Sequence, residues 1–372
     1  MKIKAEKNVL LEAVTPTLCA LSTKPLIPAL ECIYLKAKDG ILTVTGYDLA
    51  KGVKTQTPVN IEEEGEILLN AQKLSSIIRA FPEGMVELTS DKEQKVTIIS
   101  GKIKFEILGL STEGYPSIPE LTGDRSFQIP KGILKKLCQQ LLFSVSVDEK
   151  RPMLTGINFE IDNEKMTLVS CDAFRLSIRH ELVKSNEIMK FIVPGRTLSD
   201  LMKLLNDSED IITVELTNKH IIMHFDNLCF FSRLIEGDYI DYLKPIPKDT
   251  TIEVKVRLDD IIASCERAGL VIDERVKSPV KITVAPGGLL LSCDSVNGKV
   301  RDEIPASVTG GELDIGFNNK YLLDALRAAS LSGDEEVVLR MKTPLVGMSI
   351  QPVDHDSYFY LVLPVRLSDE NN

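Results

Sequence analysis

The chain has 372 residues, 44% hydrophobic and 26% charged, with a formal net charge of −10. That length exceeds one ordinary hydrophobic core and suits about three domains, and the composition is that of a soluble globular protein, which excludes a disordered or fibrous chain. The negative balance excludes a protein that grips nucleic acid over its whole surface, but a local basic lining is compatible with it, because EEEGE at 62–66, DSED at 207–210 and DEE at 334–336 carry the excess elsewhere.

No apolar run approaches a membrane span, and the opening MKIKAEKNVLLEAV lacks the long apolar core and small-residue cleavage site of a signal peptide, so the expected location is cytoplasmic, with no membrane partner. The seven cysteines stand singly without CxxC spacing, which points to reduced, mostly buried thiols and to neither a disulfide framework nor a zinc site.

In chain order, an alternating strand at 1–5 leads to a helical pattern over 8–21 that Pro16 limits or kinks. Strands are expected at 32–35 and 42–46 around the turn Lys38-Asp39-Gly40. Next comes ILLNAQKLSSIIRAF at 67–81, a short apolar strand running into a helix whose Leu74, Ile77, Ile78 and Phe81 share one face. Alternating strands follow at 86–89, 95–100 and 102–108, and the unit closes on a Pro-bearing segment at 114–119.

The pattern restarts at 127–130 with a helix over 132–143 and strands at 156–160 and 166–170, then reaches FIVPGRTLSDLMKLL at 191–205 and closes on EGDYI at 236–240. It restarts again at 252–256 with a helix from Leu258 to about Gly269, and reaches IGFNNKYLLDALRAA at 315–329 and YFYLVLPVRL at 358–367. The strand-to-helix segment thus recurs at a constant interval of 124 residues, with Leu198, Leu201, Met202 and Leu205, then Leu322, Ala325, Leu326 and Ala329, repeating the apolar face. The chain is one α+β unit written three times, and the domains are expected at 1–124, 125–249 and 250–372.

Away from that face Arg79, Lys203 and Arg327 are equivalent, and one stripe back stand Gln72, Arg196 and Lys320. Two readings are open: a solvated helix surface diluted by Asp200 and Asp324, or a positive surface turned to one extended anionic partner. Asp48, Asp172 and Asp294 recur near matching places and read as turn-stabilising carboxylates, since equivalent positions in separate domains cannot gather round one metal. His220 and His224 share an expected strand. HExxH, GxSxG and GxxxxGK[ST] are all missing from the sequence, so an enzyme reading has no constellation to rest on. Pro364 cannot donate to a ladder, so the last residues are expected at a sheet edge.

The triple repeat over 1–367, with CDAFRLSI at 171–178, EGDYIDY at 236–242, IGFNNKYLLDAL and the terminal LPVRL, closely resembles the beta subunit of bacterial DNA polymerase III, the DNA sliding clamp. The resemblance implies a non-catalytic processivity factor without cofactor or metal, loaded by an ATP-driven partner. It would be a head-to-tail homodimer of six domains around duplex DNA, with helices lining the hole and antiparallel sheets outside. Sequence-independent DNA contacts would fall to Lys24, Arg79, Arg151, Arg196, Lys203, Lys320 and Arg327. The resemblance also implies a pocket for short peptides of the polymerase III catalytic subunit, the clamp loader and repair proteins, between the second and third domains. Its residues would be Leu154, Cys171, Ala173, Phe174, Arg175 and Leu176 on one side, and Asn318, Tyr321, Leu345, Leu363, Pro364, Val365, Arg366 and Leu367 on the other, with Ile240, Lys244 and Pro245 at the rim.

Phe105 and Ile107 would meet Leu270 and Val271 of a second copy. The chain departs from the family pattern at Ala173-Phe174 and Ile240, which bear on pocket shape and partner preference, and at Pro152-Met153, beside the DNA-contacting place of Arg151. The alternative is a non-ring adaptor for replication or repair proteins.

Overall fold

A computed structural model describes residues 1–372 except 23, 24, 26, 120, 186, 273–277 and 368–372. The first repeat supplies β1 (Lys2–Glu6), α1 (Lys7–Val14), β2 (Cys32–Lys38), β3 (Ile41–Tyr47), β4 (Lys51–Pro58), β5 (Asn60–Glu63), β6 (Gly65–Asn70), α2 (Ala71–Ala80), β7 (Met85–Ser90), β8 (Lys95–Ser100) and β9 (Ile103–Leu108). The second supplies β10 (Arg125–Pro130), α3 (Lys131–Leu141), β11 (Gly156–Asp162), β12 (Lys165–Cys171), β13 (Arg175–Leu182), β14 (Ile188–Pro194), α4 (Gly195–Leu201), β15 (Ile211–Leu216), β16 (His220–Phe225) and β17 (Leu228–Arg233). The third supplies β18 (Ile252–Arg257), α5 (Leu258–Gly269), β19 (Val280–Ala285), β20 (Gly288–Ser295), β21 (Gly298–Thr309), β22 (Leu313–Phe317), α6 (Asn319–Ser330), β23 (Glu336–Met341), β24 (Met348–Pro352) and β25 (Tyr358–Val362).

Local chemistry explains the boundaries. The α-helical part of the expected 8–21 helix stops at Val14, and Thr15–Ala20 continues as a 3₁₀ turn, with Pro16 placed where its missing N–H costs least. Asn70 and Asn318 cap α2 and α6, their side chains accepting from Lys73 N and from Lys320 and Tyr321 N. The equivalent position before α4 is Pro194, which has no side-chain acceptor, and α4 is the shorter helix. Asp39 and Gly40, at φ 49° and 76°, form the tight turn between β2 and β3. β4 escaped the sequence pattern because KGVKTQTP buries threonines where a hydrophobic alternation would be sought.

The described chain forms two compact units that cut across the repeats. One comprises Met1–Gly132 with Asp200–Leu234, the other Ile133–Ser199 with Ile235–Asn372. The first unit holds a sheet ordered β5-β1-β7-β8-β9 and another ordered β10-β15-β16-β17-β4-β3-β2-β6. Here β4 of the first repeat pairs antiparallel with β17 of the second, from Lys51 opposite Ser232 to Thr55 opposite Leu228. The second unit is built on one twelve-stranded sheet, β14-β11-β12-β13-β25-β24-β23-β18-β21-β20-β19-β22, in which β13 pairs with β25. Its main core packs Ile261, Cys265, Leu322 and Leu326 of α5 and α6 against the inward residues of the sheet, among them Leu291, Phe317, Leu339 and Tyr360. In the first unit Leu10, Leu74 and Ile78 of α1 and α2 pack likewise on Ile33, Leu35 and Val44.

The expectation for Asp294 is corrected by this topology. Asp48 Oδ1 accepts from Ala50 N and Lys51 N, and Asp172 Oδ1 from Phe174 N and Arg175 N, as turn-stabilising carboxylates do. Asp294 instead lies within β20, opposite Lys299, and the turn role falls to Ser295, whose Oγ accepts from Asn297 N. The sheet ladder runs one residue further in the third repeat, so the turn residue shifts by one.

Candidate functional site

In the second unit the turn after β12 organises a constellation around Arg175. Its Nε bonds Asp172 at 2.8 Å, its Nη1 bonds Asp324 of α6 at 2.8 Å, and the guanidinium lies over the rings of Tyr321 and Phe143 at 4.3 and 5.1 Å. Planar Arg meets two carboxylates and two ring faces at once, a role the shorter-headed lysine fills poorly. Beside it Phe174 is exposed, its ring 5.8 Å from Tyr321, while its carbonyl accepts from Leu363 N. Ala173, at φ 75°, turns the chain so that Phe174 points out and Arg175 points in.

Leu154, Cys171 and Leu176 are buried in an adjoining apolar cluster with Ile178, Tyr239 and Leu361, and burial pushes the Cys171 thiol up. The rim residues Ile240, Lys244 and Pro245 are exposed on a segment pinned to that cluster by Tyr239, Tyr242 and Ile246, with the Tyr242 hydroxyl donating to Glu160 at 2.8 Å. Beyond β25 the chain turns away at Pro364, and Val365 N bonds Gly316 O on β22, the last strand of its sheet. Glycine at 316 permits this close approach, since a Cβ would stand 2.9 Å from the Val365 carbonyl oxygen. Leu345, Val365, Arg366 and Leu367 line one cavity of 390 Å³ with Asp314 and Pro344. Asn318 is spent on capping α6, so its side chain is fixed by the helix.

The first unit holds the same ion arrangement. Lys51 bonds Asp48 at 2.8 Å and Asp200 of α4 at 3.2 Å. The neighbouring apolar slot differs, because Phe231 lies against Gly52, where a Cβ would be 2.1 Å from the ring, and packs on Tyr47 at 5.6 Å.

The basic helix positions and Arg151 are exposed, and Arg79, Arg196 and Lys320 make no ion pair among the described residues. Lys203 pairs with Asp200 and Arg327 with Glu266, so the stripe is partly neutralised. Lys24 lies outside the described residues. Phe105 and Ile107 sit on β9, which ends its sheet; Leu270 is 84% exposed just past α5, beside Val271. The first half of β21 also has an open edge: Gly298–Pro305 pairs with β20 alone among the described residues, while Ala306–Thr309 pairs with β18. Sequence reasoning missed the Lys51 and Arg175 ion triads, although their six members recur at the interval of the repeat.

Three family models match in succession: the N-terminal domain of the DNA polymerase III beta subunit over residues 1–119, its central domain over 128–241 and its C-terminal domain over 244–366. The chain belongs to this family. A beta sliding clamp of Bacillus subtilis is 31% identical over 379 residues, spanning 98% of this chain and all of the relative. The crystal structure of the B. subtilis DNA polymerase sliding clamp superposes with a TM-score of 0.96 at 30% identity, covering 99% of this chain and 100% of that one. A DNA polymerase III beta subunit from Eubacterium rectale gives 0.95 at 32% identity, over 98% and 99% of the two chains. The fold is thus that of the beta sliding clamps, three α+β clamp domains rich in antiparallel sheet. Among the described residues no helix is long and apolar enough to cross a membrane and no group of His, Cys, Asp and Glu is arranged to hold a metal.

Proposed function

We propose that this protein is a non-catalytic sliding clamp that closes head to tail with a second copy into a ring around duplex DNA, its domains meeting near residues 124 and 249. The observation that carries this reading is that β9 in the first unit and the first half of β21 in the second each leave one strand edge unpaired among the described residues. A long unpaired edge is a template for another strand. In both junctions inside the chain, the strand equivalent to β21 takes the strand equivalent to β9, as β4 takes β17 and β13 takes β25. Carrying that register across puts Val300 opposite Phe105, Lys299 opposite Glu106 and Gly298 opposite Ile107, with Val271 beside Gly298. A head-to-tail contact of this kind closes at two copies if the rotation allows, and otherwise grows into a filament.

Retention on DNA is then topological, and exposed cations such as Arg79, Arg196 and Lys320 need supply only weak contacts to phosphate. Duplex DNA and the replicative polymerase are the partners, with the clamp loader and repair proteins reaching the same apolar site beside Phe174, Tyr321 and the segment 363–367 by short peptides. Oxidation of a Phe105→Cys, Val300→Cys double variant tests this. Covalently closed dimers that stay on nicked circular duplex and run off the same DNA once linearised are expected. Monomers that never cross-link, or dimers released equally from both DNAs, favour the adaptor.

A further inference from the structure

On the face of the first repeat's sheet opposite α1 and α2, a cavity of 570 Å³ lies between a row of lysines and an apolar wall. Lys36 and Lys38 project from β2 and Lys54 from β4, and none of the three has an ion pair among the described residues. Ile118 and Leu121 form the wall, with Thr43 and Gln56 on the floor. Three cations around one concavity, none in an ion pair among the described residues, stand out on a chain of net charge −10. The repeat does not require them: 124 residues on, the same strands carry Glu160, Asp162 and Ile178.

We propose that this cavity is a second docking site, for an extended acidic segment of a partner protein, separate from the apolar site in the other unit. Successive outward residues of a strand are about 6.7 Å apart, so Lys36 and Lys38 match carboxylates at alternate positions of an extended chain. The wall takes an apolar side chain from the intervening positions. A nucleic-acid strand fits less well. Asp39 lines the rim and Glu66 lies beside Lys36, which opposes a continuous run of phosphates but not spaced carboxylates. The aromatic platform is also taken, since Tyr34 stacks on Tyr115 at 5.7 Å and donates its hydroxyl to Glu66.

The test is fluorescence anisotropy on the full chain with a fluorescein-labelled peptide of about eight residues alternating glutamate and leucine, and its glutamine counterpart. The glutamate peptide should bind, weaken with salt, and lose at least about tenfold in affinity on the Lys36→Gln, Lys54→Gln variant and on Lys38→Glu, whose thermal midpoints should match the parent. The glutamine peptide should bind at least about tenfold more weakly to the parent. No binding of the glutamate peptide, equal binding of both peptides, or equal affinity on the lysine variants overturns the proposal. So does oligothymidylate binding more tightly than the peptide through the same lysines, which makes the site one for nucleic acid.

Discussion

Arg175 reaches Asp324 at 2.8 Å as Lys51 reaches Asp200 at 3.2 Å, so a cation from one repeat is held by a helix carboxylate of the next at both junctions within the chain. Each cation also bonds the carboxylate of its own turn, Asp172 or Asp48. Position 76 on α2, which corresponds to Asp200 and Asp324, is Ser76, and Ser295 replaces the turn carboxylate in the third repeat. A junction between copies, as proposed above, would therefore lack this lock.

Asp324→Asn is expected to lower stability by about 1.5–3 kcal/mol, the range for a hydrogen bond to a charged group, because Arg175 stays buried with one carboxylate fewer. Tyr321 and Phe174 lose their fixed neighbour as well, so affinity for a clamp-binding peptide should fall with it. Denaturant midpoints and peptide titration check both, and a parent-like midpoint contradicts the account.

Ala173 and Leu49 occupy equivalent turns at φ 75°, a conformation that costs an L residue roughly 1 kcal/mol relative to glycine. Ala173→Gly should raise stability by up to about 0.6 kcal/mol, the roughly 1 kcal/mol of strain less the ~0.4–1 kcal/mol that the greater unfolded-state freedom of glycine costs. Ala173→Val should lower it, since a β-branched residue tolerates that conformation least. Paired denaturation curves decide the order of the three proteins.

Ile107→Asp combined with Val271→Asp should give monomers by sedimentation, because like charges would be buried in an apolar seam at a cost of several kcal/mol. Peptide binding should survive, since neither residue touches the Arg175 constellation. A persistent dimer would show that the seam lies elsewhere.

Burial works to raise the Glu160 carboxyl, but bonds from Lys190, Tyr242 and Asn158 outweigh it and hold the group below its ordinary value. A depressed carboxylate contributes stability that is present above its unfolded value and lost as pH falls through the folded one. Tyr242→Phe removes one of these bonds, so the acid transition should move to higher pH. Acid titration by circular dichroism measures the shift, and coincident curves for the two proteins would rule out this role for the hydroxyl.

The sequence alone determined what is local or periodic. The interval of 124 residues, the helix faces of Leu74 and Leu322, the Asp39-Gly40 turn and the stop at Pro16 follow from side-chain spacing and backbone preference, and these were enough to recognise an α+β unit written three times. The candidate site residues Phe174, Arg175, Tyr321 and Leu363 were legible through motifs, without their contacts. Only the tertiary structure decided which strands of different repeats share a sheet, because the pairing of β4 with β17 joins segments far apart in sequence and β4 itself is largely polar. The same holds for Arg175 between Asp172 and Asp324, for the one-residue shift that replaces Asp294 by Ser295, and for the lysine cavity of β2 and β4. Each depends on cross-strand register and on distances between remote segments, and hydrophobic periodicity, which reports only which way a side chain faces, carries no information about either.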